Sequence, residues 1–199
     1  MVACFYFDDF LAERIKAMPT TSLGLRYPSS TDNVNPPEDF QFLASDVNDV
    51  VSPLVNVPLA QLRQSVSQSL ANATWTTITF DAEDLDTAGG HSTSSNTGRY
   101  TAQRTGHYQL SGAVSFGPNA TGARWCKWMK NGSELASSGA NMAPAPGGQT
   151  LLTARTIVVR LVVGDYVELQ AYQTSGGSIS TYPDVPYAAP SMSVRWISA

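Results

Sequence analysis

At 199 residues the chain suits one domain with an appendage, or two small units, and it is long enough to bury a real core. Only 14% of its residues are charged, the net charge is −4 and Lys and Arg cluster nowhere, which removes the electrostatic footprint that nucleic acid requires. No apolar run reaches the roughly eighteen residues of a membrane span, so no membrane insertion is expected. Cys4 and Cys126, far apart in segments of different character, suggest neither a disulfide framework nor a metal knuckle, and Cys126 reads as a small buried strand residue.

The chain opens on MVACFYFDD, a short apolar patch broken by Asp8 and Asp9 with no basic residue before it, so an export signal is not expected. Residues 8–18 can form a short helix. Met18 would itself make a sensible start, which leaves open that residues 1–17 are an upstream extension. Residues 19–37 carry Pro, Ser, Thr, Asn and Gly with isolated apolar anchors at Leu23, Leu25, Tyr27 and Val34, and predict an extended arm without a core of its own. Such a segment is ordered only by borrowing a surface. The stretch GLRYPSSTDNVNPPEDFQFLASDV resembles the N-terminal attachment segments of minor tail and fibre proteins of tailed bacteriophages that infect actinobacteria. The resemblance implies a virion-anchoring arm over residues 1–37 with those four residues as anchors; without it, the stretch is an ordinary flexible leader.

Asn35-Pro36-Pro37-Glu38-Asp39 is a helix start, with a capping Asn, Pro in the first turn and carboxylates where the helix dipole favours them. Phe40, Leu43, Val47, Val50 and Leu54 then recur at steps of three and four, and after interruptions at Pro53 and Pro58 a second stripe follows at Leu59, Leu62, Val66 and Leu70. Together they predict a short helical neck over residues 38–73. Each stripe is too short for an isolated coiled coil to be stable, so the helices either pack back on their own β domain or pair with sister chains. A narrow seam favours the second use. Gln61, Gln64, Ser67 and Gln68 on the other faces carry little charge to fix a register.

From Trp75 onward the chain reads as β. Residues 75–80 make a first strand, and residues 81–96 a polar loop. In the stretch GRYTAQRTGHYQLSGAVSF, Tyr108, Leu110, Gly112, Val114 and Phe116 alternate with Gln109, Ser111, Ala113 and Ser115 after a corner at Thr105-Gly106, the pattern of a half-buried strand. RWCKWMK at residues 124–130 is apolar in both phases, so one face covers the core and the other wants a partner; an Asn131-Gly132 turn and a short strand near residues 134–137 follow. After the loop at residues 139–149 comes a long strand over residues 150–163, with Ile157, Val159 and Leu161 inward. Gly164-Asp165 turns it into residues 166–172, and a loop over residues 174–190 leads to the closing strand of Met192, Val194 and Trp196. About eight such strands suit a mainly β fold, an antiparallel jelly-roll sandwich.

The signals fall in the order of a known family. Asn-Thr-Gly-Arg-Tyr-Thr-Ala at residues 96–102, Gly-His-Tyr at 106–108, Lys-Asn-Gly at 130–132 and Leu-Val-Val-Gly-Asp-Tyr-Val-Glu-Leu at 161–169 resemble the complement-type globular head of the tumour-necrosis-factor jelly-roll superfamily. Ala102-Gln103 departs from it, standing where that family often has Ala-Pro. The resemblance implies a jelly-roll head over residues 74–199 and a homotrimer, and no calcium site of the family carries over.

Chemistry is sparse. The acidic run at residues 81–86 offers oxygen ligands but lacks the glycine and terminal glutamate of a helix-loop-helix calcium loop, and reads as solvated. His91 and His107 have no partner at zinc spacing. No nucleophile elbow, phosphate loop or metalloprotease motif occurs, so no enzyme, cofactor or metal is expected. Asn72, Asn119 and Asn131 match the glycosylation acceptor pattern, as chance matches in a chain rich in Asn, Ser and Thr. Trp125, Trp128, Tyr172 and Trp196 read as core or interface packing. Tyr182 and Tyr187, in a Pro-rich loop, are the candidates for stacking on a sugar or protein ligand. The expectation is a trimeric phage virion appendage on the particle surface. It would bind tail or capsid proteins through its arm and a host-surface glycan or protein through its head. Open beside it stand a capsid decoration or head fibre, and a secreted, non-viral complement-like binding module.

Overall fold

The computed structural model describes residues 20, 21, 24–27 and 36–199, which divide between two compact units, Met1–Asn56 and Val57–Ala199. In the first, helix α1 (Pro36–Val55) begins at the expected prolines, with Glu38 and Asp39 in its first turn. It runs past Pro53 and ends two residues later. Its apolar stripe meets solvent: Phe40 is 71% exposed, and Leu43, Val47, Val51 and Val55 are exposed as well, with Val50 half-buried. Leu54 lies in the same helix.

The described part of the arm does not stay free. Arg26 donates from its backbone N–H to Asp46 Oδ2 at 2.7 Å and from Nε to Asp46 Oδ1 at 2.9 Å, and its guanidinium lies 5.1 Å from the Phe42 ring centroid. Hydrogen bonds from Arg26 hold the Asp46 carboxyl below the usual carboxylate range. Leu25 is half-buried and Tyr27 exposed; Leu23 and Val34 lie outside the described residues, as do residues 1–17 and Cys4.

The second unit is a sandwich of antiparallel sheets. The first sheet runs β10 (Thr150–Thr153), β6 (Gly106–Phe116), β14 (Ser191–Ser198), β1 (Leu59–Arg63), β4 (Ala82–Asp86), with β11 (Ile157–Leu161) also on β6. The second runs β3 (Thr76–Thr77), β12 (Tyr166–Gln173), β7 (Arg124–Lys130), β8 (Ser133–Glu134), with β5 (Arg99–Thr101) on β12 and β9 (Ala140–Met142) on β7. β2 (Ser69–Leu70) and β13 (Ile179–Ser180) form a separate ribbon. Tyr108, Leu110, Val114 and Phe116 from β6 meet Cys126 and Trp128 from β7 in a core that also buries Phe80, Tyr100, Leu169 and Val194. Burial pushes the Cys126 thiol up to about 11, so it packs as a neutral small side chain.

The predicted second neck helix is not a helix. Leu59, Leu62 and Leu70 belong to β1 and β2, Val66 is exposed between them, and the head begins near Val57 rather than at residue 74. The buried positions are Ala60, Leu62 and Gln64, which alternate as a strand does, and the three-and-four spacing of the leucines is incidental. Gln64 and Gln68 do the work of a missing strand. Gln68 Nε2 donates to Thr77 O at 2.8 Å, Thr79 N donates to Gln68 Oε1 at 3.0 Å, and Gln64 Nε2 donates to Thr79 O at 3.0 Å. The expected strand over residues 75–80 is regular only at Thr76–Thr77; beyond it Ile78 N donates to Leu169 O at 2.9 Å and Phe80 N to Thr97 O at 2.8 Å, and Ile78 and Phe80 are fully buried.

The predicted polar loop at residues 81–96 contains β4, on the open edge of the first sheet. The long strand expected over residues 150–163 is broken in two. Thr153 faces Ala113 and Ile157 faces Leu110, so one extra residue stands on this side, a β-bulge. The bulge switches the inward parity from Leu152 and Ala154 to Ile157, Val159 and Leu161. Trp128 pins it, donating its indole N–H to Arg155 O at 2.8 Å.

The Lys-Asn-Gly and Gly-Asp turns, distant in sequence, clasp each other. Asn131 Nδ2 donates to Asp165 Oδ1 at 2.7 Å, Tyr166 N to Asn131 Oδ1 at 2.8 Å, and Lys130 Nζ lies 2.9 Å from Asp165 Oδ2. Lys130, Val162 N–H and Asn131 hold the Asp165 carboxyl down to about 2. A depressed carboxylate stabilises the fold above its unfolded value of 3.8 and loses that contribution as pH falls through about 2. Asp165→Asn is therefore expected to cost roughly 1 kcal/mol near neutrality after solvent screening, and the gap to the parent should close between pH 4 and 2 in urea titrations. A gap that does not change with pH would remove Asp165 from this role.

Candidate binding surfaces of the head

The loop that carries Tyr182 and Tyr187 is tied down at its start. Tyr182 N donates to Ser115 O at 2.9 Å, Thr181 N to Gln68 O at 2.8 Å, and the Thr181 hydroxyl to Gln64 Oε1. Tyr182 lines an open cleft of about 470 Å³ with Ser67, Asn119, Ile179 and Asp184. Tyr187, on the short 3-10 turn Pro186–Ala188, is 91% exposed and does not line that cleft. The cleft therefore takes in one of the two tyrosines.

Beside it, Arg124 is fully buried and organises the turn between β6 and β7. Its guanidinium donates to the carbonyls of Thr121 at 3.0 Å, Ala123 at 3.1 Å and Asn119 at 2.9 Å. Burial lowers its pKa from the ordinary arginine value. These carbonyl bonds make Arg124 a structural clamp.

A second surface lies on the outer face of the β3-β12-β7 sheet. Tyr172 faces Trp125 across the ladder, with ring centroids 5.2 Å apart at 75°, and Trp75 packs on Tyr172 at 5.1 Å and 36°. Lys127 Nζ sits 4.1 Å from the Trp75 ring centroid and 2.7 Å from Glu134 Oε2. Trp75, Trp125, Lys127, Glu134 and Asn141 bound a cleft of about 210 Å³, with backbone of residues 139–140 as part of its wall. The outward phase of RWCKWMK thus finds a partner within its own chain. The usable signal was that Trp125 and Lys127 share a phase of β7; Trp75 and Tyr172 come from distant segments.

The third surface is the outer face of the first sheet. Register places Ser111, Ser193, Gln61 and Leu85 in one row, and Thr153, Ala113, Ser191 and Arg63 in the next. Small side chains leave a shallow groove of about 270 Å³ at the centre, while Leu85, Leu151, Val158 and Ile197 stand exposed around it.

Three of the four acids in the run, Asp81, Asp84 and Asp86, are spent internally. Burial alone raises the Asp81 carboxyl, but hydrogen bonds from the Ser65 hydroxyl, Ser65 N–H and Val66 N–H outweigh it and hold the group below the ordinary range. Asp84 pairs with Arg63 at 2.9 Å, and Asp86 accepts the His91 N–H at 2.8 Å. The His91 ring nitrogens lie 2.9 Å from Arg99 O and 3.0 Å from Phe80 O, which holds the loop on the sandwich. Among the described residues no group of three His, Cys, Asp or Glu gathers as a metal site.

No protein-family model and no curated protein matches the chain. Solved structures do. Murine APRIL at pH 8.5 aligns with a TM-score of 0.52 at 13% identity, over 70% of this chain and 98% of that one. Murine APRIL at pH 5.0 aligns with a TM-score of 0.50 at 13% identity, over 71% and 99%. Eiger TNF from S. frugiperda aligns with a TM-score of 0.48 at 10% identity, over 72% and 94%. At such identities the likeness is one of fold: the head is a TNF-like jelly roll.

Proposed function

We propose that the chain is a homotrimeric bacteriophage virion appendage that displays its jelly-roll head to bind a host surface. Residues 1–37 serve as the anchor to tail or capsid proteins through Leu23, Leu25, Tyr27 and Val34, and α1 bundles with its copies. The observation that carries this reading is the exposed stripe of Phe40, Leu43 and Val47 on α1, set ahead of a head with its own complete core. A single helix of 20 residues gains little stability alone, and sister helices would cover this stripe. The flat, small-residue face of the first sheet supplies a second surface for copy-to-copy contact, rimmed by exposed Leu151 and Val158. The anchor is tested by deleting residues 1–37. The shortened protein should fold and be missing from purified particles, whereas incorporation at normal copy number would rule out an anchoring arm.

A further inference from the structure

The cleft between Trp75 and Trp125 has a chemistry that the packing of the head does not need. The buried tryptophans satisfy their indole N–H groups within the chain, Trp128 on Arg155 O at 2.8 Å and Trp196 on Thr105 O at 3.2 Å. Among the described residues nothing accepts the indole N–H of Trp75 or Trp125, and the Asn141 amide has no partner. Trp75 is 39% exposed, although its ring already packs on Tyr172. Glu134, 63% exposed, accepts one hydrogen bond from Lys127 and keeps acceptor capacity toward solvent.

We infer that this cleft binds a carbohydrate, one or two neutral or N-acetylated sugar units of a surface glycan. A sugar ring presents an apolar C–H face together with a rim of hydroxyls that both donate and accept. Exposed indole surface matches the face, and the free indole N–H groups, the Asn141 amide and the Glu134 carboxylate match the rim. The Lys127–Glu134 pair fixes one wall, because the ammonium is held between the carboxylate and the Trp75 ring. At about 210 Å³ the cleft is small and polar-edged, unlike the broad apolar area of a protein interface. The inference rests on the head being a surface-binding module, and it moves the ligand from the Tyr182 and Tyr187 loop to the outer face of the second sheet.

The test uses the full chain on an immobilised panel of glucose, galactose, mannose, rhamnose, arabinose and N-acetylglucosamine oligosaccharides, with intact bacteria that the particle adsorbs to as a parallel arm. The parent should be retained on at least one sugar and released by that sugar when free. Trp75→Ala and Trp125→Ala should each weaken retention roughly tenfold or more, Trp75→Phe, which keeps an aromatic face but loses the N–H, should weaken it less than Trp75→Ala, and Tyr187→Ser should leave it unchanged. Asn141→Ala, at an exposed strand edge, should weaken retention severalfold and guards against misfolding of the tryptophan variants. Retention that survives both alanine variants, with unfolding midpoints unchanged, overturns this site. Binding to cells with no retention on any sugar overturns the carbohydrate class, and the head then binds a protein. Binding to neither overturns the surface-binding reading itself.

Discussion

A fragment starting at residue 75 should fail to fold, whereas one starting at residue 57 should fold cooperatively. β1 is an inner strand, paired with β14 on one side and β4 on the other, so removing it leaves β14 unpaired on that side and detaches β4 from the first sheet. The same cut removes Leu62 and Leu70, both fully buried, and the Gln64 and Gln68 amides that hold residues 77–79. Loss of one buried leucine costs about 2–5 kcal/mol, and a whole domain of this kind rests on a margin of roughly 5–15 kcal/mol. Far-UV circular dichroism with thermal melting separates the outcomes. A sharp melt from the 75–199 fragment would mean that β1 is an accessory, and that the neck boundary expected at residue 74 is the true one.

Gly106→Ala should be among the most damaging single substitutions in the head, at roughly 3 kcal/mol or more. Gly106 has φ near +153°, and a Cβ there would lie 2.2 Å from Trp196 Nε1 and 2.3 Å from Ser198 O. The residues around it form the clamp that holds the closing strand. Trp196 donates to Thr105 O at 3.2 Å, Arg104 lies 3.9 Å over the Trp196 ring, and the Tyr108 hydroxyl donates to Arg104 O at 2.6 Å. The Gly-x-Tyr motif thus has a steric cause, since only a residue without a side chain lets β14 close against this corner. Gly147→Ala is the control, because φ is +73° but nothing lies near the added atom, leaving about 1 kcal/mol of backbone strain. Urea midpoints of the two variants should therefore differ widely. Equal midpoints would show that contact with Trp196 is not what demands glycine.

Where one face of a strand is apolar and the other wet, period two reads directly from the residues, and β6 and β14 lie where the alternation of Tyr108 to Phe116 and Met192 to Trp196 puts them. β1 was hidden because the buried position that follows it is Gln64, whose amide bonds a backbone carbonyl, and because Leu59 and Leu62 also fit a helical step. The break between β10 and β11 was invisible because a bulge leaves both halves apolar and only switches which phase points inward. The candidate sites were least legible. Tyr182 and Tyr187 were visible as loop aromatics, but the row Trp75, Tyr172, Trp125 is assembled from three separated segments, and only pairing of β3 and β7 on β12 brings it together. Arg124 begins a predicted strand, and its role rests on loop carbonyls that the fold turns toward it.

The reading of a trimeric display protein is tested most directly by sedimentation equilibrium of the full chain at micromolar concentration. The proposed homotrimer, with the exposed stripe of α1 and the small-residue face of the first sheet as its contacts, predicts a single species at three times the 21.3 kDa chain mass. A monodisperse species at 21.3 kDa would contradict it.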